Sequence, residues 1–331
     1  MLTNYPKLTD AEIGSTLSRP LLVSNIEENT DKNGNAYVKV TLKDGFSDVT
    51  AVMFSTSIAD LEERLIKVGT VVDADLTVSE YQGNKSYKVA NLAPAEDKLL
   101  TASDFVKLPP VNLDVMYDEI IELLGSAADS YDGTHTPLSD LAIRILTKYK
   151  EPYMTSSAAI SMHHNLLGGL LYHSYRMVKA ADALCNVYTS LDRELLLCGT
   201  ALHDIGKIWE YDTSDTGDAS FTSSGILFGH LYMGASLIKS FSQTKDKAPY
   251  HAEKVQLLTH LILSHHGTQE WGAVSCPAIP EALALHHIDN LDAKMYMFEE
   301  QYETLGAGEL SDKKPFGLEN RVYKPKYDPQ I

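Results

Sequence analysis

The residues able to do chemistry are unevenly spread. Eleven of the twelve histidines fall between residues 163 and 287 of this 331-residue chain. The densest point is ALHDIGKIWE, residues 201–210, where His203 and Asp204 stand side by side in an apolar run and Lys207 follows one turn later. Helical phase turns four such stretches inward. His173 shares a stripe with Leu166, Leu170 and Met177, while His203 follows Leu196 and Thr200, and Asp204 follows Leu197 and Ala201. His265 continues Leu258 and Leu261, with His266 beside it and Gly267 closing the helix, and Asp289 follows Ala282 and Leu285. His230, in GILFGHLYMG, adds a fifth segment.

A carboxylate left unpaired in an apolar core costs roughly several kcal/mol, so Asp204 and Asp289 need cationic partners. The inward faces offer histidines rather than arginines. A divalent metal resolves the conflict, because neutral imidazoles and carboxylates are its natural ligands. One ion takes about four protein ligands, yet seven candidates converge: His173, His203, Asp204, His230, His265, His266 and Asp289. The surplus predicts two ions bridged by Asp204. Histidine-rich ligation favours Mn²⁺, Co²⁺, Fe²⁺ or Zn²⁺ over Mg²⁺, which prefers oxygen. Such a centre hydrolyses phosphoesters without a protein nucleophile, which fits a chain with no GxSxG stretch. Catalysis would rest on Asp204, His203 and Lys207, the last placing an ammonium where a phosphate oxygen sits. Trp271, just after HHGTQE, is positioned to stack on a terminal base.

The elements that must hold these groups fall into two classes. From about residue 19 to residue 98 the pattern alternates with period two. Val38, Val40 and Leu42 oppose Lys39 and Thr41; Ala74, Leu76 and Val78 oppose Asp73, Asp75 and Thr77. Asn33-Gly34 and Gly83-Asn84 mark turns. Several short strands in that span predict a small OB-like barrel, preceded by an arm over 1–18. Tyr81, Lys85 and Tyr87 around one hairpin could stack on and pair with a single nucleic-acid strand. LPPVNLD breaks the chain, and a helical connector is expected over 99–155. An all-α bundle carrying the histidines follows over 156–304, and then a Pro-, Gly- and charge-rich tail, 305–331, that wraps a neighbour or stays loose.

The net charge of −17 argues against non-specific coating of duplex nucleic acid, which needs many Lys and Arg contacts. Bound cations would still attract a phosphate locally. Three scattered cysteines without a CxxC, no signal-like start and no membrane-length apolar segment lead us to expect a cytoplasmic protein.

HDIGK is the signature of the HD phosphohydrolase superfamily, and His173, His203-Asp204 and Asp289 follow its H…HD…D order. The longer phrases HHNLLGGLLYH, YTSLDRELLLCGTALHDIGK, LSHHGTQEWG and HHIDNLDAKM, behind an OB-like barrel, resemble the YhaM-type 3′→5′ exoribonucleases over roughly residues 19–300. The resemblance implies an HD domain over 156–304 and a manganese-dependent enzyme that trims single-stranded RNA, and often single-stranded DNA, from a free 3′ end. It assigns the seven residues above as metal ligands and Lys207 as a phosphate contact. His163 and His164 match the family's paired histidines ahead of the first ligand, which makes them candidates for substrate contact. A homo-oligomer is expected. A rival expectation is an HD-domain phosphohydrolase of nucleotides or cyclic dinucleotides with the barrel as a regulatory or assembly module. A second is a single-strand-binding protein whose HD domain has lost catalysis, which intact ligands argue against.

Overall fold

The structure, a computed structural model, describes residues 7–32, 34–128, 134–158, 166–214, 217–243 and 248–327. The chain forms two units: one ends at Leu108 and takes in Ser214, Gly217 and Asp218, and the other comprises the remaining residues from Pro109 onward. No helix among the described residues is long and apolar enough to cross a membrane.

Alternation builds the first unit. Strands β1 (Thr16–Thr30), β2 (Ala36–Lys43), β3 (Asp48–Phe54), β4 (Val71–Tyr81) and β5 (Asn84–Pro94) close into a barrel of order β1-β2-β3-β5-β4, with helix α1 (Ile58–Glu63) between β3 and β4. All neighbouring pairs are antiparallel except β3–β5, which run parallel. Val38, Val40, Leu42, Ala74, Leu76 and Val78 point into the barrel core, as their period predicts. This five-stranded Greek-key closure is the OB-like architecture expected. The β4–β5 turn is Gln82-Gly83, both at positive φ, one residue earlier than the pair read from the sequence. Asn33, of the first predicted turn, lies outside the described residues; Gly34 has a φ of 84°.

The second unit is helical: α2 (Leu113–Ser126), α3 (Leu138–Lys148), α4 (Lys150–Thr155), α5 (Gly169–Val187), α6 (Arg193–Leu202), α7 (Lys207–Glu210), α8 (Ser223–Phe241), α9 (Ala252–Ser264) and α10 (Pro280–Thr304). A small hairpin, β6 (Tyr211–Thr213) with β7 (Ala219–Phe221), separates α7 from α8. Helix α6 is buried along its length from Glu194 to Leu202, the mark of a central helix. Around it α2, α3, α5, α9 and α10 contribute Met116, Ile145, Met177, Leu261 and Leu285 to one core. The helices expected as a connector are therefore part of the same packed body, because Met116, Ile120, Leu141 and Ile145 have an apolar stripe to bury.

The tail departs from expectation in the same way. Over residues 305–327 it folds back on α10: Leu318 and Val322 are buried, Leu310 and Tyr323 form an antiparallel bridge, and Lys324 Nζ donates to Tyr302 O at 2.7 Å. Its Pro and Gly residues shape turns rather than a loose end. The three cysteines are free thiols, Cys185 and Cys198 buried and Cys276 exposed.

Candidate metal centre

Each segment brings its side chain to one point by a local device. His173 sits in the second turn of α5 with Leu170 and Met177 fully buried on either side of it. Helix α6 was expected to run through His203 and Asp204; it ends at Leu202 instead, and residues 203–206 turn tightly, with Lys207 N–H donating to Asp204 O at 2.9 Å. Glycine explains how closely α8 comes to this turn. Gly206 packs directly on the backbone carbonyl of His230, and a Cβ there would collide with it, so α8 approaches this turn only because the side chain is missing. Gly225 does the same against the carbonyl of Glu210. Within α8, Gly229 leaves helical geometry at φ 68° and ψ 157° and swings His230 toward the centre. Helix α9 ends at Ser264, so His265 and His266 lie just past its last turn, and Gly267 follows at φ 82°. Asp289 comes from α10, one turn beyond buried Leu285.

The result is a cavity of about 130 Å³ lined by Ala158, His173, Asp204, Lys207, His265, His266 and Asp289. Three overlapping groups have ligating atoms within 4.8 Å of one another: His173–His203–Asp204, His230–His265–His266 and His203–His265–Asp289. Between them they include all seven residues singled out in the sequence. Asp204 faces both ways. Its Oδ2 lies 3.2 Å from His203 Nε2, and its Oδ1 lies 3.4 Å from His230 Nε2 and 3.7 Å from His265 Nε2.

Hydrogen bonding fixes the ring tautomers. A carbonyl can only accept, so His203 Nδ1, 2.8 Å from Thr200 O, carries the hydrogen; so does His265 Nδ1, 2.8 Å from Ile262 O. His173 Nδ1 meets Asp292 Oδ2 at 2.7 Å, and His230 Nδ1 meets Glu210 Oε2 at 2.9 Å. In these four rings, when neutral, Nε2 is then a bare lone pair; His266 Nδ1 is buried without a hydrogen-bond partner. Yet His173 and His203 Nε2 stand 3.3 Å apart, as do His230 and His266 Nε2, with carboxylate oxygens beside them. Asp204 Oδ1 is buried without a hydrogen-bond donor. Acceptors converge on a space with almost no protons to share, and this donor set fits divalent cations.

Without a cation the strain shows in the titration. Burial opposes a charged His173, but the hydrogen bonds its ring donates to Asp289 and Asp292 outweigh it and push the ring up to about 9. Burial together with neighbouring His265 and His230 drives His266 down to about 4. Burial would raise Asp204, but the Lys207 ammonium, with His203 and His265, holds it well below the usual carboxylate range. Burial likewise would raise Asp289, and His173 and His203 hold it down.

Lys207 Nζ lies 2.7 Å from Asp204 Oδ2 and donates to Ala158 O at 2.8 Å, so it lines the cavity with its charge already paired. Trp271, in a short 3₁₀ turn (Gln269–Trp271), is 62% exposed, and its ring lies 5.9 Å from that of His286. His163 and His164 lie outside the described residues.

On the barrel the three substrate candidates separate. Tyr81 is exposed, and Lys85 donates to Thr9 O at 2.8 Å. Tyr87 is a correction: it points into the barrel core, 6% exposed, and its hydroxyl donates to Leu8 O at 2.9 Å, so it offers no face to a base. The alternation that packs Val89 against the barrel core on β5 also turns Tyr87 inward, opposite Val78. A pair missed in the sequence, Tyr37 on β2 and Phe54 on β3, sets two rings 6.1 Å apart, with Phe54 exposed. Cross-strand register, Tyr37 opposite Phe54, is what unites them. The sequence also gave no prominence to Glu210, His286 or Asp292. Asp292 was within reach, three residues after Asp289 on one helix face.

The family described as HD domain matches residues 170–294. The 3′-5′ exoribonuclease YhaM of Bacillus velezensis (strain DSM 23117 / BGSC 10A6 / LMG 26770 / FZB42) is 31% identical over 318 residues, 96% of this chain and 97% of that protein. The 3′-5′ exoribonuclease YhaM of Bacillus subtilis (strain 168) is 32% identical over 318 residues, with the same coverage of 96% and 97%. Among solved structures, the second OB-fold domain of replication protein A from Methanococcus maripaludis aligns with 29% of this chain and 98% of its own, at 18% identity and a TM-score of 0.22. That superposition is too loose to bear on the fold.

Proposed function

The chain belongs to the family of the YhaM 3′-5′ exoribonucleases, and on that premise we propose that it is a metal-dependent 3′-5′ exonuclease hydrolysing the phosphodiester bonds of single-stranded RNA, and of single-stranded DNA, from a free 3′ end. The observation that carries the proposal is Asp204, whose two oxygens face two separate histidine groups. We assign one divalent ion to His173, His203, Asp204 and Asp289, and a second to His230, His265, His266 and the other oxygen of Asp204. Manganese is the metal we assign, in keeping with a histidine-rich set; Co²⁺, Fe²⁺ and Zn²⁺ suit the same donors. When bound, the two cations would neutralise the non-bridging oxygens of the scissile phosphate and ease deprotonation of the attacking water.

The chain's own groups do the rest. Asp204 and Asp289 stay ionised, which lets them hold cations. Lys207 lines the cavity and would donate to a phosphate oxygen, exchanging part of its present bond to Asp204. Trp271 offers an exposed ring for the terminal base. The cavity suits a phosphate and ions rather than a whole nucleotide, so the base and sugar stay outside it. Strand affinity comes from the barrel, through Tyr37, Phe54, Tyr81 and Lys85, the first two being stacking platforms. No side chain attacks phosphorus. Self-association into a homo-oligomer is part of the same proposal, read by light scattering.

The test is an end-labelled oligonucleotide incubated with the protein and Mn²⁺, as RNA and as DNA, with the 3′ end free or blocked. One-nucleotide steps from the free 3′ end, and none from the blocked one, are expected. An undegraded oligonucleotide together with turnover of mononucleotides or cyclic dinucleotides would replace the exonuclease by the other HD reaction.

A further inference from the structure

Two buried carboxylates stand behind the histidines without lining the cavity. Asp292 Oδ2 accepts from His173 Nδ1 at 2.7 Å, and its Oδ1 takes Arg176 Nε at 2.6 Å. Arg176 is itself clamped by Glu299 at 2.6 and 3.0 Å, so α5 and α10 are laced together along one edge by His173–Asp292–Arg176–Glu299. Glu210 serves the other side. Its Oε2 accepts from His230 Nδ1 at 2.9 Å, and its Oε1 accepts the His230 backbone N–H at 3.0 Å. That N–H is a donor freed by the break at Gly229, so one carboxylate satisfies both the kinked backbone and the ring it presents.

The two carboxylates divide cleanly between the histidine groups. In each group one ring is held by a carbonyl three residues back, His203 by Thr200 and His265 by Ile262, and one by a carboxylate from another element. A carboxylate on Nδ1 fixes the tautomer, aims the Nε2 lone pair and makes it a stronger donor to a cation than a carbonyl can.

We propose that Asp292 and Glu210 are positioning residues, each dedicated to one ion: Asp292 to the site of His173, His203 and Asp204, and Glu210 to the site of His230, His265 and His266. This rests on the two-ion centre proposed above. It predicts that the sites can be weakened one at a time by residues that never touch the metal.

The test is Mn²⁺ binding to the full chain without substrate, by equilibrium dialysis with the free ion read by electron paramagnetic resonance. Wild type should take two ions. Asp292→Asn should keep one at wild-type affinity and bind the other about 10–100-fold more weakly, as loss of such outer partners does. Glu210→Gln should do the same to the complementary ion, and the double variant should weaken both. Thermal unfolding in chelator separates this from loss of fold, since both changes are isosteric; if one variant does not fold, the other carries the test. Two ions at wild-type affinity in both variants, or equal weakening of both ions by either, overturns the positioning roles and leaves the two-ion centre standing. A wild-type chain that binds one ion or none overturns both.

Discussion

His173 and His203 meet Nε2 to Nε2 at 3.3 Å, each with its Nδ1 hydrogen already committed, to Asp292 and to the carbonyl of Thr200. Neutral, the rings aim two lone pairs at each other; a cation between them converts that repulsion into shared attraction. Chelator should therefore lower the thermal midpoint, and Mn²⁺ at a hundred times its dissociation constant should restore about 2.7 kcal/mol per ion. A midpoint indifferent to both additions would remove the metal from the account.

Asp204→Asn should abolish hydrolysis while strand binding persists, because the shared carboxylate lies in the helical unit and the stacking rings lie on the barrel. Lys207→Met should lower turnover by about 10²–10³-fold, the scale of one lost phosphate contact. Substantial turnover by Asp204→Asn in the ladder assay would refute the bridging role.

Gly206→Ala tests how His230 is delivered. The added methyl meets the His230 carbonyl, so α8 must back away, at a cost of about 1–3 kcal/mol in stability. Mn²⁺ binding should fall with it. Unchanged unfolding and metal affinity would mean the two backbones are not packed as described.

Two aromatic substitutions on the barrel should behave oppositely. Phe54→Ala should weaken single-strand binding by about 1–3 kcal/mol, with the fold intact. Tyr87→Phe deletes the hydroxyl that donates to Leu8 O and should cost about 0.5–1.5 kcal/mol of stability, with strand affinity unaltered. Reversed outcomes in a titration with oligonucleotide and in unfolding would exchange their roles.

His260, outside the cavity lining, supplies a pH dependence of its own. Burial lowers its pKa, and its Nε2 accepts the Ala278 N–H at 3.0 Å, which only the neutral ring can do. The unfolded chain therefore binds a proton in the window below about 6.5 that the folded chain refuses. Stability from this group is present above that pH and lost as the pH falls through it. At saturating Mn²⁺, His260→Gln should show a shallower fall in unfolding free energy between pH 7 and 5; an identical slope would acquit His260.

Period carried far in this sequence. Two-residue alternation located the inward faces of β2 and β4, and the 3.6-residue stripe put His173 between Leu170 and Met177 and Asp289 after Leu285. What escaped depended on contacts between elements. Glu210 reaches His230 only because Gly206 and Gly225 let α8 lie against the segment around α7, and no spacing within either segment announces that approach. The tight turn at 203–206 was hidden inside a helix-like pattern, since Leu202 and Ile205 are apolar whichever path the backbone takes. Tyr87 shares its face with exposed Lys85 two residues earlier, but Lys85 lies at the hairpin end opposite Glu80, whereas Tyr87 lies deeper, opposite buried Val78, a difference of depth that period alone does not show.

The ring of five strands has a consequence for how a nucleic acid could be gripped. β1 pairs with both β2 and β4, whereas β3 and β5 meet through only two residue pairs, Ala51–Tyr87 and Val52–Lys88, so the unpaired main-chain groups of the barrel are concentrated along that one seam. A strand held by main-chain groups at that seam, or by protruding rings and cations elsewhere, would be gripped through contacts indifferent to which base arrives. For the exonuclease proposed above, such blindness would let one grip serve every base in turn.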